Sequence, residues 1–314
     1  MKRLLITGAD GFVGRWLVRA ARADGTPVVA AIMPDAVAPA EWHATERGLP
    51  PVEVIAADLR NGDAVQRLAD VRPDAVVHLA AVASGAEARK NPDAALAVNA
   101  AATTLLAALL STTSRPRFLF VSTGEIYGDS HATQIAETAP CRPTSPYGTS
   151  KAAAEGALRS IWQRTALPVT IARAFPHTGP GQSTTYVLPA LTARLREAKR
   201  TGAHVVKAGN LSAVRDFLDV RDVVRAYLLL LEKGAPGEVY NVASGVGQRL
   251  ADCFEMLARL VGVEAHAEPD ATLLRPGDIP VLIGDAAKLR SATGWRPTIP
   301  FERTLQDLVN AQAD

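Results

Sequence analysis

The chain of 314 residues is long enough for about two domains of ordinary size. Its 34 Lys plus Arg against 32 Asp plus Glu leave a net charge of +2, which excludes a solvated polyelectrolyte and, with no dense basic block, a nucleic-acid partner. Hydrophobic residues at 48% supply a sizeable core, and two cysteines, Cys141 and Cys253, make neither a disulfide framework nor a metal cluster, so a reduced cytoplasmic setting with no bound metal is expected.

Residues 2–7 read as a short apolar strand, followed by glycines and a helix over Phe12–Ala23 with Phe12, Trp16, Leu17 and Ala20 on one face. Lys2 and Arg3 precede only three apolar residues, too few for a signal-peptide core. Strands follow at Val28–Ile32 and 52–56, then a helix over 63–69, a strand over 75–81, a long helix over 92–110 and a strand over 118–122. Residues 94–114 carry no charge, yet they are mostly Ala with Asn99, Thr103, Thr104 and a Ser/Thr end, which reads as a helix buried in the protein or at a subunit contact and not as a membrane span. The strands lack clean alternation, as when helices cover both faces of a parallel sheet, and β-α repeats with short loops predict a doubly wound α/β fold.

After Arg173 the texture changes to an irregular segment around Pro176, Gly179, Pro180 and Gly181. Helices are expected over 187–199, Val220–Lys233 and Leu250–Val261, with a short strand at 205–206 and a Pro-rich tail. The expected division is a dinucleotide-binding domain over 1–174, rejoined by parts of 213–245, and a smaller substrate-binding lobe made mainly of 175–314, packed over the carboxyl edge of the sheet.

Three patterns carry chemistry. Gly8-Ala9-Asp10-Gly11-Phe12-Val13-Gly14 lies between the first strand and the first helix, where glycines permit a tight turn and bring backbone amides and a helix N-terminus to a pyrophosphate. Asp58 closes the third strand, either as an acceptor for an adenine amine or as an ordinary cap. Tyr147 and Lys151 fall at i and i+4, so on a helix they share a face and the ammonium lowers the phenol pKa toward a working range. Such a tyrosine exchanges a proton with a carbonyl or hydroxyl while hydride moves to or from nicotinamide. Thr123, in Ser122-Thr123-Gly124-Glu125, stands at the end of a buried strand, placed to bond the same oxygen.

Together these patterns resemble the extended short-chain dehydrogenase/reductases, which act mostly on nucleotide sugars. The likeness extends to His78-Leu79-Ala80-Ala81, Asn99 and Arg215-Asp216-Phe217. It implies a catalytic set of Thr123, Tyr147 and Lys151, and an NAD or NADP site built from the glycine turn, Asp58, Leu59, Leu79, Ala80, Ala81, Asn99, Tyr147 and Lys151. Gly209-Asn210-Leu211-Ser212-Ala213 and Leu274-Arg275-Pro276-Gly277-Asp278 are similar to GDP-4-dehydro-6-deoxy-D-mannose reductases, implying a GDP-sugar partner held through His177, Asn210, Arg215 and Arg275. Arg215 and Arg275 have the bidentate chemistry a diphosphate needs.

Glu125 leaves the reaction class open. GDP-mannose 4,6-dehydratases carry Glu two positions before the equivalent of Tyr127 as an acid/base, and the reductases often keep a carboxylate there. Reduction of a C4 ketone to a GDP-6-deoxyhexose such as GDP-D-rhamnose is the expected activity; the alternatives are that dehydratase, another nucleotide-sugar epimerase or reductase, and a non-enzymatic dinucleotide-binding protein. Pro176 stands where such proteins carry an Asn, removing an amide from the sugar site, and the 31–35 segment holds neither the acid of strict NAD enzymes nor an Arg for a 2′-phosphate. Family members commonly dimerise through helices matching 92–110 and 147–164, so a homodimer is expected.

Overall fold

The protein is described by a computed structural model covering residues 1–45, 48–130, 132–274 and 278–311. In chain order the first half runs β1 (Leu4–Thr7), α1 (Phe12–Ala23), β2 (Val28–Ile32), β3 (Glu53–Ala56), α2 (Gly62–Asp70), β4 (Ala75–His78), α3 (Gly85–Lys90), α4 (Pro92–Leu96), α5 (Thr103–Thr112), β5 (Arg117–Thr123), α6 (Pro146–Thr165) and β6 (Val169–Ala174). The second half runs β7 (His177–Thr178), α7 (Val187–Thr201), β8 (Val205–Ala208), β9 (Val214–Asp216), β10 (Leu218–Asp219), α8 (Val220–Lys233), β11 (Val239–Val242), β12 (Gly247–Arg249), α9 (Leu250–Val261), β13 (His266–Pro269), β14 (Val281–Leu282), α10 (Ala287–Thr293) and α11 (Phe301–Ala311).

Seven strands form one parallel sheet in the order β11-β6-β5-β4-β1-β2-β3. Its direction of growth reverses at β1, leaving a crevice between the carboxyl ends of β1 and β4 where such sheets bind ligands. Neighbouring residues of one strand serve opposite cores, which explains the missing alternation. Leu4 and Ile6 pack with Leu17 of α1 and Val223 of α8, whereas Leu5 packs with Val65 of α2, Leu106 of α5 and Leu158 of α6. A third core joins Leu191 and Leu195 of α7, Phe254 and Leu257 of α9, and Leu305 and Leu308 of α11.

α8 and β11 return to the sheet, β11 pairing with β6. Most of the uncharged stretch lies in one continuous helix, Pro92–Thr112, long and apolar enough to cross a membrane by length and composition, with half of its apolar window buried inside the protein. Residues 97–102 form a π turn within it, which turns Asn99 wholly inward.

Candidate active site

At the switch point, β1 delivers the chain into Gly8, whose φ of +67° suits glycine. A Cβ there would lie 2.8 Å from the Ala80 nitrogen, because the residues after β4 cross directly over the turn. Leu79 N donates to Thr7 O and Ala80 N to Thr7 Oγ1, fastening that crossing. Gly14 is equally constrained: a Cβ on it would run into the Gly8 carbonyl and the Ala9 backbone. Gly11 caps α1 without a side-chain hydrogen bond, so the first-turn amides of Phe12, Val13 and Gly14 face outward as donors for an anion. This cradle, closed to any side chain, fits a dinucleotide pyrophosphate.

Asn99 braces the wall of this site. Its Oδ1 accepts from Val82 N at 2.8 Å, and its Nδ2 donates to Val82 O at 3.2 Å and to Ser150 Oγ at 2.9 Å. The amide is spent on the protein, so Asn99 shapes the loop after Ala81 and ties it to α6. Ser150 in turn donates to the Tyr147 carbonyl at 2.8 Å. His78 is buried with its two nitrogens on Thr7 and Thr103, at 2.8 Å each, and burial holds its pKa down to about 3. Asp58, with Leu59 buried beside it, is clasped by Arg60 at 2.7 and 3.0 Å, which keeps its carboxyl below the usual range.

α6 begins where its sequence says it should. Ser145 Oγ accepts from Gly148 N at 3.0 Å and Pro146 occupies the first turn, so Tyr147 enters at the helix N-terminus with Lys151 one turn further in. Thr123 ends β5 and its hydroxyl bonds both the Glu125 amide, at 3.2 Å, and the Tyr147 phenol. Glu125 accepts from Ser145 Oγ at 3.2 Å. Lys151, 2% exposed, donates from Nζ to Val121 O at 2.8 Å and lies 4.8 Å over the Phe120 ring. Thr123, Glu125, Tyr147 and Lys151 thus meet at one end of β5.

The electrostatics correct one expectation. The Tyr147 pKa is raised above its ordinary value, first by burial and then by the negative charge of Glu125, with Tyr186 and Tyr227 pushing the same way and only the Thr123 bond opposing. Lys151 does not offset this, because its ammonium is turned to the Val121 carbonyl and is itself brought down by burial to about 7. The phenol therefore holds its proton, as a donor must.

His177 stacks on Phe12 with ring centroids 6.3 Å apart and 9° between planes, and its Nδ1 lies 2.9 Å from Phe175 O. That stack places it beside the glycine turn. Trp16, one turn further along α1, donates to Pro180 O at 3.0 Å, so the same helix carries the segment around Pro176. Farther out, a cavity of about 510 Å³ is lined by Gly209, Asn210, Leu211, Pro269, Leu274 and Asp278 among others, within the range that holds small ligands. At its rim Asp278 binds Arg215 at 2.6 Å and accepts from Asn210 at 3.4 Å. Arg275 lies outside the described residues. No group of three His, Cys, Asp or Glu suited to a metal occurs among the described residues.

Asp278 and Tyr186 were not singled out by sequence reasoning. Asp278 meets Arg215 from 63 positions away, a pairing with no local signal. Ser145 could have been found, since Ser-Pro before a helical stretch is a start signal.

The GDP-mannose 4,6 dehydratase family matches residues 5–308. The GDP-6-deoxy-D-mannose reductase of Pseudomonas aeruginosa is 33% identical, over 98% of this chain and 96% of its own. Among solved structures, RMD from Pseudomonas aeruginosa complexed with NADPH has a TM-score of 0.85 at 32% identity, covering 99% of this chain and 98% of that one. The UDP-glucose 4-epimerase of Thermus thermophilus, in complex with NAD, has a TM-score of 0.85 at 29% identity and covers 98% of each chain. Matched over nearly its whole length in both sequence and fold, the chain belongs to the GDP-mannose 4,6 dehydratase family of extended short-chain dehydrogenase/reductases.

Proposed function

We propose that the protein reduces the C4 ketone of GDP-4-dehydro-6-deoxy-D-mannose to a GDP-6-deoxyhexose such as GDP-D-rhamnose, with NADPH or NADH as the reductant. The observation that carries this reading is the meeting of Thr123, Tyr147 and Lys151 at the carboxyl end of β5. Gly8, Gly11 and Gly14, with the amides at the start of α1, would hold the dinucleotide phosphates, and Lys151 its nicotinamide half, with His177 beside the substrate. When bound, the dinucleotide supplies hydride to the C4 carbon.

The chain's own residues supply the rest. Tyr147 gives its proton to the C4 oxygen as charge develops there and recovers one from solvent. Thr123 bonds the same oxygen and orients it. Arg215, with Arg275, would hold the diphosphate, and the cavity by Asn210 the nucleoside. Exposed Leu96 and Leu105, on the helix Pro92–Thr112, support a homodimer through that helix and α6.

A second reading, a GDP-mannose 4,6-dehydratase, is favoured by Glu125, a carboxylate whose charge reaches Tyr147 and which could take or return the proton of an elimination. One experiment separates the two. Loss of reduced-nicotinamide absorbance that requires the ketosugar supports the reductase and, run with both cofactors, gives their preference. Conversion of GDP-mannose without added reductant, and no oxidation with the ketosugar, would establish the dehydratase.

A further inference from the structure

His177 is held by both its ring and its backbone. Its Nδ1 lies 2.9 Å from Phe175 O, and a carbonyl oxygen only accepts, so Nδ1 carries the proton and Nε2 is left as a bare acceptor. The ring plane is set by the stack on Phe12, 9° from parallel. Leu218 N donates to Pro176 O at 3.0 Å, Gln182 Nε2 to His177 O at 3.0 Å and Thr178 Oγ1 to Gln182 Oε1 at 2.7 Å, which fix the backbone beneath the ring. Nε2 therefore points away from Phe175 in a fixed plane, and it hydrogen-bonds none of the described residues. Burial holds the ring below the ordinary histidine range, so it is neutral near pH 7.

The place of this acceptor follows from the strands. β6 pairs with β5 so that Ala174 lies beside Thr123, and His177 comes three residues later. A Cβ on Gly124 would lie 3.2 Å from the Phe175 ring, so the two chains stay packed together beyond the strand ends. On its other side His177 meets Phe12, the first residue of α1 after the glycine turn. It thus stands between the phosphate cradle and the hydroxyls of Thr123 and Tyr147. Of Phe175, Pro176 and His177, only the last has a polar side chain. A neutral acceptor has nothing to offer a phosphate oxygen or a ketone; its natural partner is a hydroxyl. With the C4 oxygen given to Tyr147 and Thr123, and the nicotinamide half to Lys151, the neighbouring hexose hydroxyls fall to His177.

We propose that His177 accepts, through Nε2, a hydrogen bond from a hexose hydroxyl next to the reacting carbon, and so selects sugars that carry a hydroxyl there. The selection rests on the nucleotide-sugar reading above, but not on which base the nucleotide carries. Because ring and backbone are fixed before any ligand arrives, little freedom is lost when the bond forms.

The test has two arms. Long-range proton–nitrogen NMR spectra of the cofactor-free protein, with the His177 signals assigned by their loss in His177→Asn, show the Nδ1–H tautomer; the Nε2–H tautomer would overturn the proposal. Calorimetry then compares GDP-mannose with GDP, and UDP-glucose with UDP. His177→Asn, whose amide reaches Phe175 O but falls short of the Nε2 position, weakens binding of the nucleotide sugar by about three- to tenfold and leaves the bare diphosphate unchanged. His177→Gln, whose amide oxygen reaches the Nε2 position, recovers most of that loss. Both variants lack the ring, so the difference between them reads the acceptor and not the stack on Phe12. Unchanged nucleotide-sugar affinity in His177→Asn, equal losses for sugar and diphosphate, or equal losses in the two variants would each overturn the proposal. A matching loss of NADPH affinity in His177→Asn would overturn it too, by giving the acceptor to the cofactor. The sugar-dependent loss with UDP-glucose, in a protein that binds neither GDP-mannose nor GDP, would remove the GDP-sugar reading and leave this one.

Discussion

Two arginine–carboxylate pairs in this protein have almost the same geometry and opposite surroundings. Arg173 and Glu155 meet at 2.7 Å with both side chains 2% exposed, whereas Arg215 and Asp278 meet at 2.6 Å with 14% and 25% exposed. The first is locked by Tyr127 and Asn241 into the sheet; the second stands at the rim of a cavity beside Asn210. Contact distance does not distinguish them, but burial does. A sealed pair is a fixture whose charge can be used only at a distance, while a rim pair can exchange its carboxylate for a ligand oxygen.

The sharpest way to break the comparison is to remove one partner from each pair. Arg173→Met leaves the buried Glu155 with only the part-exposed Arg159 at 3.1 Å, and should cost about 3 kcal/mol of unfolding free energy in urea. Acid exposes a smaller effect in the same interior. The folded pKa of His78 is about 3 against 6.5 unfolded, so as pH falls from 6.5 toward 3 the unfolded chain takes up a proton that the folded chain refuses. Stability is thus complete above 6.5 and declines below it, with a slope approaching about 1.4 kcal/mol per pH unit from this group. Urea melts between pH 6.5 and about 5.5, above most carboxylate titrations, read it most cleanly. Arg215→Met is the mildest: its unfolding free energy should stay within about 1 kcal/mol of wild type, while KM for the nucleotide sugar rises about tenfold and kcat changes little. An equal stability loss in the two arginine variants would erase the distinction.

The sheet half was largely legible because its signals are local. The glycine turn, the strands that bury both faces and the i, i+4 spacing of Tyr147 and Lys151 each lie within a few residues. β11 was not read as a strand: Val239-Tyr240-Asn241-Val242 is four residues long and carries a polar Asn241, which is buried because Tyr127, Ile135 and Asp285 satisfy it from far along the chain. α11 was lost in a Pro-rich tail although Leu305, Leu308 and Val309 repeat at helical spacing. The pKa of Tyr147 was misjudged for a related reason. Spacing shows that Lys151 shares its face, but not that Val121 takes the ammonium or that Glu125 lies closer in effect. Spacing could not show that the Asn99 amide bonds Val82 and Ser150, or that His177 stacks on Phe12 beside the glycine turn.

The central claim is that Tyr147 is the proton donor for ketosugar reduction, and single-turnover oxidation of NADPH by Tyr147→Phe with GDP-4-dehydro-6-deoxy-D-mannose tests it most directly. The phenyl ring keeps the packing and removes only the hydroxyl on Thr123, so the account predicts unchanged NADPH binding and a chemical step slowed by at least about 100-fold. A single-turnover rate near that of the wild type would contradict it.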